Sequence, residues 1–150
     1  MKPHALRTLR PLGNLCLAAC LLGTPLLAAA HEYFLLGFTL IHPWADPTEP
    51  GVQSAPVYFK LDSVNAPDRL LKVVTPYAEA VELRGDGNAA AQALASIDIA
   101  PGSSLDFGAD RPHLLLQGLK VPLQWGRSYQ MTMMFEKAGP VQVMVSVGAH

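Results

Sequence analysis

Beyond residue 30 the chain has no cysteine. Its only thiols, Cys16 and Cys20, both lie in the opening segment. Once that segment is removed, neither a disulfide nor a thiolate metal site is available, and the fold must rest on packing alone. Charge is sparse, at 15% of residues, with no run of lysine or arginine. This excludes the basic stripe by which proteins hold nucleic acid. After residue 30 no apolar run is long enough to span a bilayer. Catalytic signals are missing too. The serines fall in turns without an activating motif, and the carboxylates are scattered, with no spacing that suggests a paired acid and base. A binding or carrier module is expected, not an enzyme.

What the opening segment does contain is an export signal. Lys2, Arg7 and Arg10 form a basic start, an apolar stretch follows from Leu15 to Leu27, and Ala28-Ala29-Ala30 supplies a small-residue cleavage site before His31. Gly23-Thr24-Pro25 interrupts the stretch and argues against a spanning helix. A rival reading is Leu17-Ala18-Ala19-Cys20, which looks like a bacterial lipobox with Cys20 as the lipidated residue. Cleavage before His31 leaves residues 31–150 as one domain, long enough to bury a core. The three basic residues of the segment leave eight of the 11 Lys+Arg against 12 Asp+Glu, a formal charge of −4.

Almost every remaining segment reads as a strand. Residues 38–42 are β-rich and Pro43 is expected to stop them. Residues 55–61 alternate, Val57 and Phe59 on one face, Tyr58 and Lys60 on the other. Further short strands are expected over 70–74, 81–83, 97–99, 105–107, 113–117, 129–136 and 141–147. In the last of these Val141, Val143, Val145 and Val147 share a face. The alanine-rich stretch 89–95 predicts at most one helical turn. Between the strands stand turn clusters such as Asp46-Pro47-Thr48-Glu49-Pro50-Gly51. Seven to nine short strands with turn signals between them predict an all-β sandwich.

Several motifs share an order and spacing. These are His31-Glu32-Tyr33, Leu40-Ile41-His42-Pro43-Trp44-Ala45, Val81-Glu82-Leu83, Ile99-Ala100-Pro101-Gly102, His113 through Lys120, and Phe135-Glu136-Lys137-Ala138-Gly139. Together they resemble the PCu(A)C family of periplasmic copper chaperones. The resemblance implies a cupredoxin-like Greek-key β-sandwich. It also implies a periplasmic carrier of Cu(I) for cytochrome c oxidase assembly, with assembly proteins or another copper carrier as partners. Family members hold Cu(I) with histidine and methionine, ligands that suit a soft ion.

The ligands carry over only in part. A His-x-Met strand puts both donors on one face, and here His113 is present while the second position is Leu115. Gln117 stands where many members have another methionine. After Val81-Glu82-Leu83 the family places a ligand histidine, and this chain has Arg84. The loop that follows, residues 85–95, contains no methionine. Of the usual two-His, two-Met set only His113 remains, with Arg84 and Leu115 as lost ligand positions. A fixed positive charge about 4 Å from a cuprous ion costs ~4 kcal/mol at an effective dielectric near 20. That is roughly three decades in affinity. The plainer reading of Arg84 is a solvated edge residue pairing with Glu82 or Asp86.

Other donors are weaker candidates. His31, if cleavage makes it the first residue, could chelate copper through its α-amine and imidazole; otherwise it belongs to a mobile terminus. His42 occupies a position that family members often fill with an unliganded histidine, and His150 ends the chain. Met131 and Met133 alternate with Thr132 and are expected to fill the core, with Met134 on the opposite face. Weak Cu(I) binding through His113 is therefore one expectation. The other is a metal-independent periplasmic binding module on the same fold.

Overall fold

The computed structural model describes residues 31–86, 92–102 and 104–148. Residues 1–30, where the sequence suggests an export signal, and His150 lie outside the described residues, as do residues 89–91 of the alanine-rich stretch. Eleven strands follow one another, with no helix among the described residues. They are β1 (Glu32–Leu35), β2 (Phe38–Ala45), β3 (Ser54–Asp62), β4 (Asp68–Val74), β5 (Ala78–Arg84), β6 (Ala93–Leu94), β7 (Ile97–Ile99), β8 (Leu105–Asp106), β9 (His113–Leu119), β10 (Ser128–Phe135) and β11 (Gly139–Val147). The all-β sandwich expected from the sequence is the fold found.

The strands run in the order β6-β5-β9-β3-β2-β11-β10-β4-β7, with β1 beside β2 and β8 beside β3. All pairings are antiparallel except β2 with β11. β3 is the corner that makes two layers from this order. Its first half, Ser54 to Val57, pairs with β9, and its second half, Tyr58 to Asp62, pairs with β2. The alternation along β3 survives the change of layer, so Val57, Phe59 and Leu61 all stay buried. Leu40, Leu61, Leu70, Leu114, Met133 and Val143 meet between the layers with no exposed surface. Phe38 and Phe135 pack edge to face at 5.1 Å and join β2 to β10.

Three local expectations are corrected. Pro43 does not stop β2, which runs on to Ala45. The register with β3 shifts between Ile41 and Trp44, and His42 takes a positive φ of 48° there. A bulge leaves a residue outside the ladder, where the missing N–H of proline costs nothing. The end of the alanine-rich stretch is strand, not a helical turn, because Ala93 and Leu94 pair with Arg84 and Leu83. Tertiary pairing overrides the helix propensity of alanine here. Finally, β1 is a strand the pattern had not marked, held by four pairs to β2.

One buried carboxylate ties the ends of two hairpins together. Asp68, 7% exposed, accepts the backbone N–H groups of Arg69, Lys137 and Ala138 at 2.7–3.0 Å. Burial alone would raise its pKa, but these three donors, helped by the Lys137 charge, hold it below the usual aspartate value. The β10–β11 turn is thereby fixed to the start of β4.

Candidate functional site

β5, β9 and β3 lie side by side, and their alternation sorts residues between two faces. Leu83, Leu114 and Val57 point into the core. One step along each strand, Arg84 stands directly opposite His113, and Tyr58 follows on the far side of His113. The rings of His113 and Tyr58 are 6.2 Å apart and inclined at 64°, edge to face. Trp44 continues the row on β2, paired with Tyr58, with ring centroids 4.6 Å apart. The outer face of the sheet therefore carries the row Arg84, His113, Tyr58, Trp44. A second row contains Glu82, Leu115 and Pro56, and a third contains Ala80, Gln117 and Ser54.

His113 is only 5% exposed although it faces away from the core. Its Nδ1 lies 2.8 Å from the carbonyl oxygen of Arg111. A carbonyl only accepts, so Nδ1 carries the proton and donates. The lone pair of the neutral ring is then on Nε2, the arrangement by which a second hydrogen bond readies an imidazole to bind a metal. Tyr58 is buried beside it. Burial first, then the negative charges of Asp46 and Asp110, push its hydroxyl pKa up, so it stays protonated and neutral.

Arg84 forms an ion pair with Glu82 two residues back on the same strand face. The pair is shielded, with side chains 18% and 34% exposed. Arg84 is thus not a solvated edge residue, although pairing with Glu82 is one of the contacts the sequence suggested for it. Nearby, Arg111 pairs with Asp106 at 2.9 Å.

The donor set on this face does not amount to a four-ligand Cu(I) site. Leu115 offers no donor atom, and among the described residues no group of three His, Cys, Asp or Glu could hold an ion. Met131 and Met133 lie in the core at 2% and 0% exposure, on the opposite side of a sheet from an outward His113. Met134, on the outer face of β10, is 36% exposed and four strands away along the sheet order. His31 is brought to His42, whose N–H donates to its carbonyl at 2.9 Å, and not to His113. β3 and β2 intervene between β9 and β1, a separation of roughly 14 Å at the usual strand spacing.

The sequence reading missed Tyr58 and Trp44 as neighbours of His113. A signal was present for the first: Tyr58 is an aromatic residue out of phase with Val57 and Phe59. The bulge at His42-Pro43 hid the second, since it shifts Trp44 into register with Tyr58.

The family model for LpqE-like lipoproteins matches residues 38–147. No curated protein matches the chain. Among solved structures, the apo PCuAC domain from PmoF1 is 26% identical, covering 80% of this chain and 100% of that one, with a TM-score of 0.71. The copper-bound PCuAC domain from PmoF2 is 27% identical over 80% and 99% of the two chains, with a TM-score of 0.69. The Cu(I) form of DR1885 from Deinococcus radiodurans has 21% identity, coverage of 81% and 83%, and a TM-score of 0.62; it supports the fold alone. The chain belongs to the LpqE-like family, and its fold is that of the PCuAC copper-binding domains.

Proposed function

We propose that this chain is an exported copper-carrier-type domain that binds Cu(I) weakly through His113 Nε2 and completes its coordination with donors from a partner. The observation that carries the proposal is the tautomer of His113. A shielded imidazole on the outer face, its Nδ1–H committed to the Arg111 carbonyl, leaves one preoriented soft-metal donor. Structural similarity to a copper-bound PCuAC domain at 27% identity supports the same direction. One protein imidazole does not retain Cu(I) tightly, so the domain suits transfer more than storage. The resemblance to the chaperone family points to cytochrome c oxidase assembly proteins, or another copper carrier, as partners.

Export rests on residues 1–30. Signal cleavage before His31 yields a periplasmic domain of residues 31–150, whereas lipidation at Cys20 yields an anchored one. The family's description as lipoproteins supports the second route, and the Ala28-Ala29-Ala30 site supports the first. Intact mass of the exported protein separates them.

A second reading has its own observation. Arg84 stands opposite His113 and is paired with Glu82, so the position at which the family resemblance implies a ligand histidine carries a paired cation. A metal-independent binding module would keep this pair. Competition against a cuprous chelator under reducing conditions distinguishes the two readings. The carrier reading expects weak binding that His113→Ala abolishes. No binding by the parent supports the metal-independent module, and tight one-to-one binding that survives His113→Ala contradicts both.

A further inference from the structure

The most exposed large apolar side chains among the described residues sit together on one turn. Phe34 is 81% exposed and Leu36 is 78% exposed, at the tip of the β1–β2 hairpin. Apart from Trp125 at 64%, the other exposed large apolar residues lie between 36% and 43%. Single exposed apolar residues are ordinary on protein surfaces. Two neighbours held this far out of the fold are less so.

The tip is rigidly presented. β1 pairs with β2 through Glu32–Ile41, Tyr33–Leu40, Phe34–Thr39 and Leu35–Phe38. On the inner side of β1 the Tyr33 hydroxyl accepts the Met144 N–H at 2.7 Å, and Leu35 packs against the core. The turn closes through Gly37 at φ 92°, whose carbonyl accepts the Asn65 N–H at 2.7 Å. A side chain at Gly37 would need this left-handed backbone and would stand 3.1 Å from Ala66 Cβ. With Tyr33 and Leu35 used on the inside, the alternation of β1 leaves Phe34 projecting outward. It does so without the entropy cost of ordering a floppy loop.

The chain outside the described residues says what lies next to this tip. Residues 1–30 run directly into β1 and contain a basic start and the apolar stretch Leu15 to Leu27. Only three residues separate Ala30 from Phe34. Whichever peptidase acts, the hairpin is the first folded element to emerge beside the bilayer. If Cys20 is lipidated, the ten residues 21–30 link the lipid to His31 and the hairpin, a span of at most about 36 Å. A phenylalanine and a leucine are side chains that settle at the headgroup–acyl boundary, and a second membrane contact is what converts marginal anchoring into stable anchoring.

We propose that Phe34 and Leu36 form a membrane-docking tip that inserts into the surface of a phospholipid bilayer and sets the orientation of the domain on it. The inference rests on the export reading alone and not on copper binding. The occupant is the lipid surface itself, recognised by apolar contact and not by anionic headgroups, because the next outward residue of β1 beside Phe34 is the exposed, negative Glu32.

The test uses the full chain reconstituted in phosphatidylcholine vesicles, with a Phe34→Trp variant compared against the parent. Trp44 and Trp125 supply the background emission. Vesicles of phosphatidylcholine brominated on the acyl chains should quench the added emission by at least about twofold relative to unbrominated ones. A Phe34→Ser, Leu36→Ser double variant should retain the parent's melting temperature, since both residues are exposed. It should also lose at least about tenfold in vesicle partitioning when assayed as the exported product. Added emission that bromine leaves unquenched overturns the proposal. So does partitioning that needs anionic lipid, or a tip substitution that disrupts a protein complex while leaving vesicle binding unchanged. Failure of export shows up separately, as a full-length intracellular mass, and removes the export reading on which the proposal stands.

Discussion

Asp68 shows how one side chain sets a condition on the whole fold. It is the acceptor for three backbone N–H groups from two distant segments. Asp68→Ala would leave those donors without their partner, at a cost of about 3 kcal/mol. Because its folded pKa lies below its unfolded value, the carboxylate's contribution is fully present above the ordinary aspartate range. It is lost as pH falls through the lower folded value. Urea unfolding should therefore show a large difference between parent and Asp68→Ala at neutral pH. The difference should shrink in acid; one that stays constant would mean the carboxylate's charge is irrelevant. Met133 makes a different point at the same scale. It is fully buried, so Met133→Leu should cost under about 1.5 kcal/mol. Met133→Ala should cost about 2–5 kcal/mol. Neither should alter copper affinity, and a change in the Leu variant would count against methionine as core filler.

At the scale of elements, β9 joins the candidate site to the opposite end of the sandwich. His113 opens it, and Gly118 near its end takes a φ of +64°. A Cβ at Gly118 would stand 2.7 Å from the flexible end of Glu79, which can move, but the left-handed backbone cannot be relieved so easily. Gly118→Ala should cost about 1–2 kcal/mol, measurable in chemical unfolding with no change at His113. The strands legible in the sequence were those whose alternation faces a single core. Examples are Val57 and Phe59 in β3, and Val143, Val145 and Val147 in β11. β2 was misjudged because a proline is a local stop signal while a bulge is a property of the pair. β6 was misjudged because Ala93 and Leu94 carry no strand signal until β5 pairs with them. The juxtaposition of Arg84 with His113 joins positions 84 and 113 across β5 and β9. Periodicity within one strand carries no information about it; only the family resemblance did.

At the scale of the molecule, the two layers keep the PCuAC fold, and the outer face that carries His113 also carries Arg84 and Leu115. Burial separates the two kinds of position. Leu114, Leu83 and Val57 hold the sheet from within and are fixed by packing, whereas Arg84, His113 and Leu115 face outward, where exchange leaves the core untouched. If positions 84 and 115 are ligand positions, as the family resemblance implies, restoring donors there should restore binding. Leu115→Met is close to volume-conserving and should cost under about 1.5 kcal/mol. It would put a thioether two residues from His113 on one strand face. Arg84→His would remove the cation and supply an imidazole directly opposite His113, leaving Glu82, 34% exposed, within reach of water. Ligands of one ion couple, so their effects should exceed additivity. The most direct test is a Cu(I) competition titration of the parent, each single variant and the Leu115→Met, Arg84→His double variant. The account predicts that the double variant gains affinity by more than the two singles combined and loses the gain on His113→Ala. A double variant that folds normally and binds copper no better than the parent would contradict it.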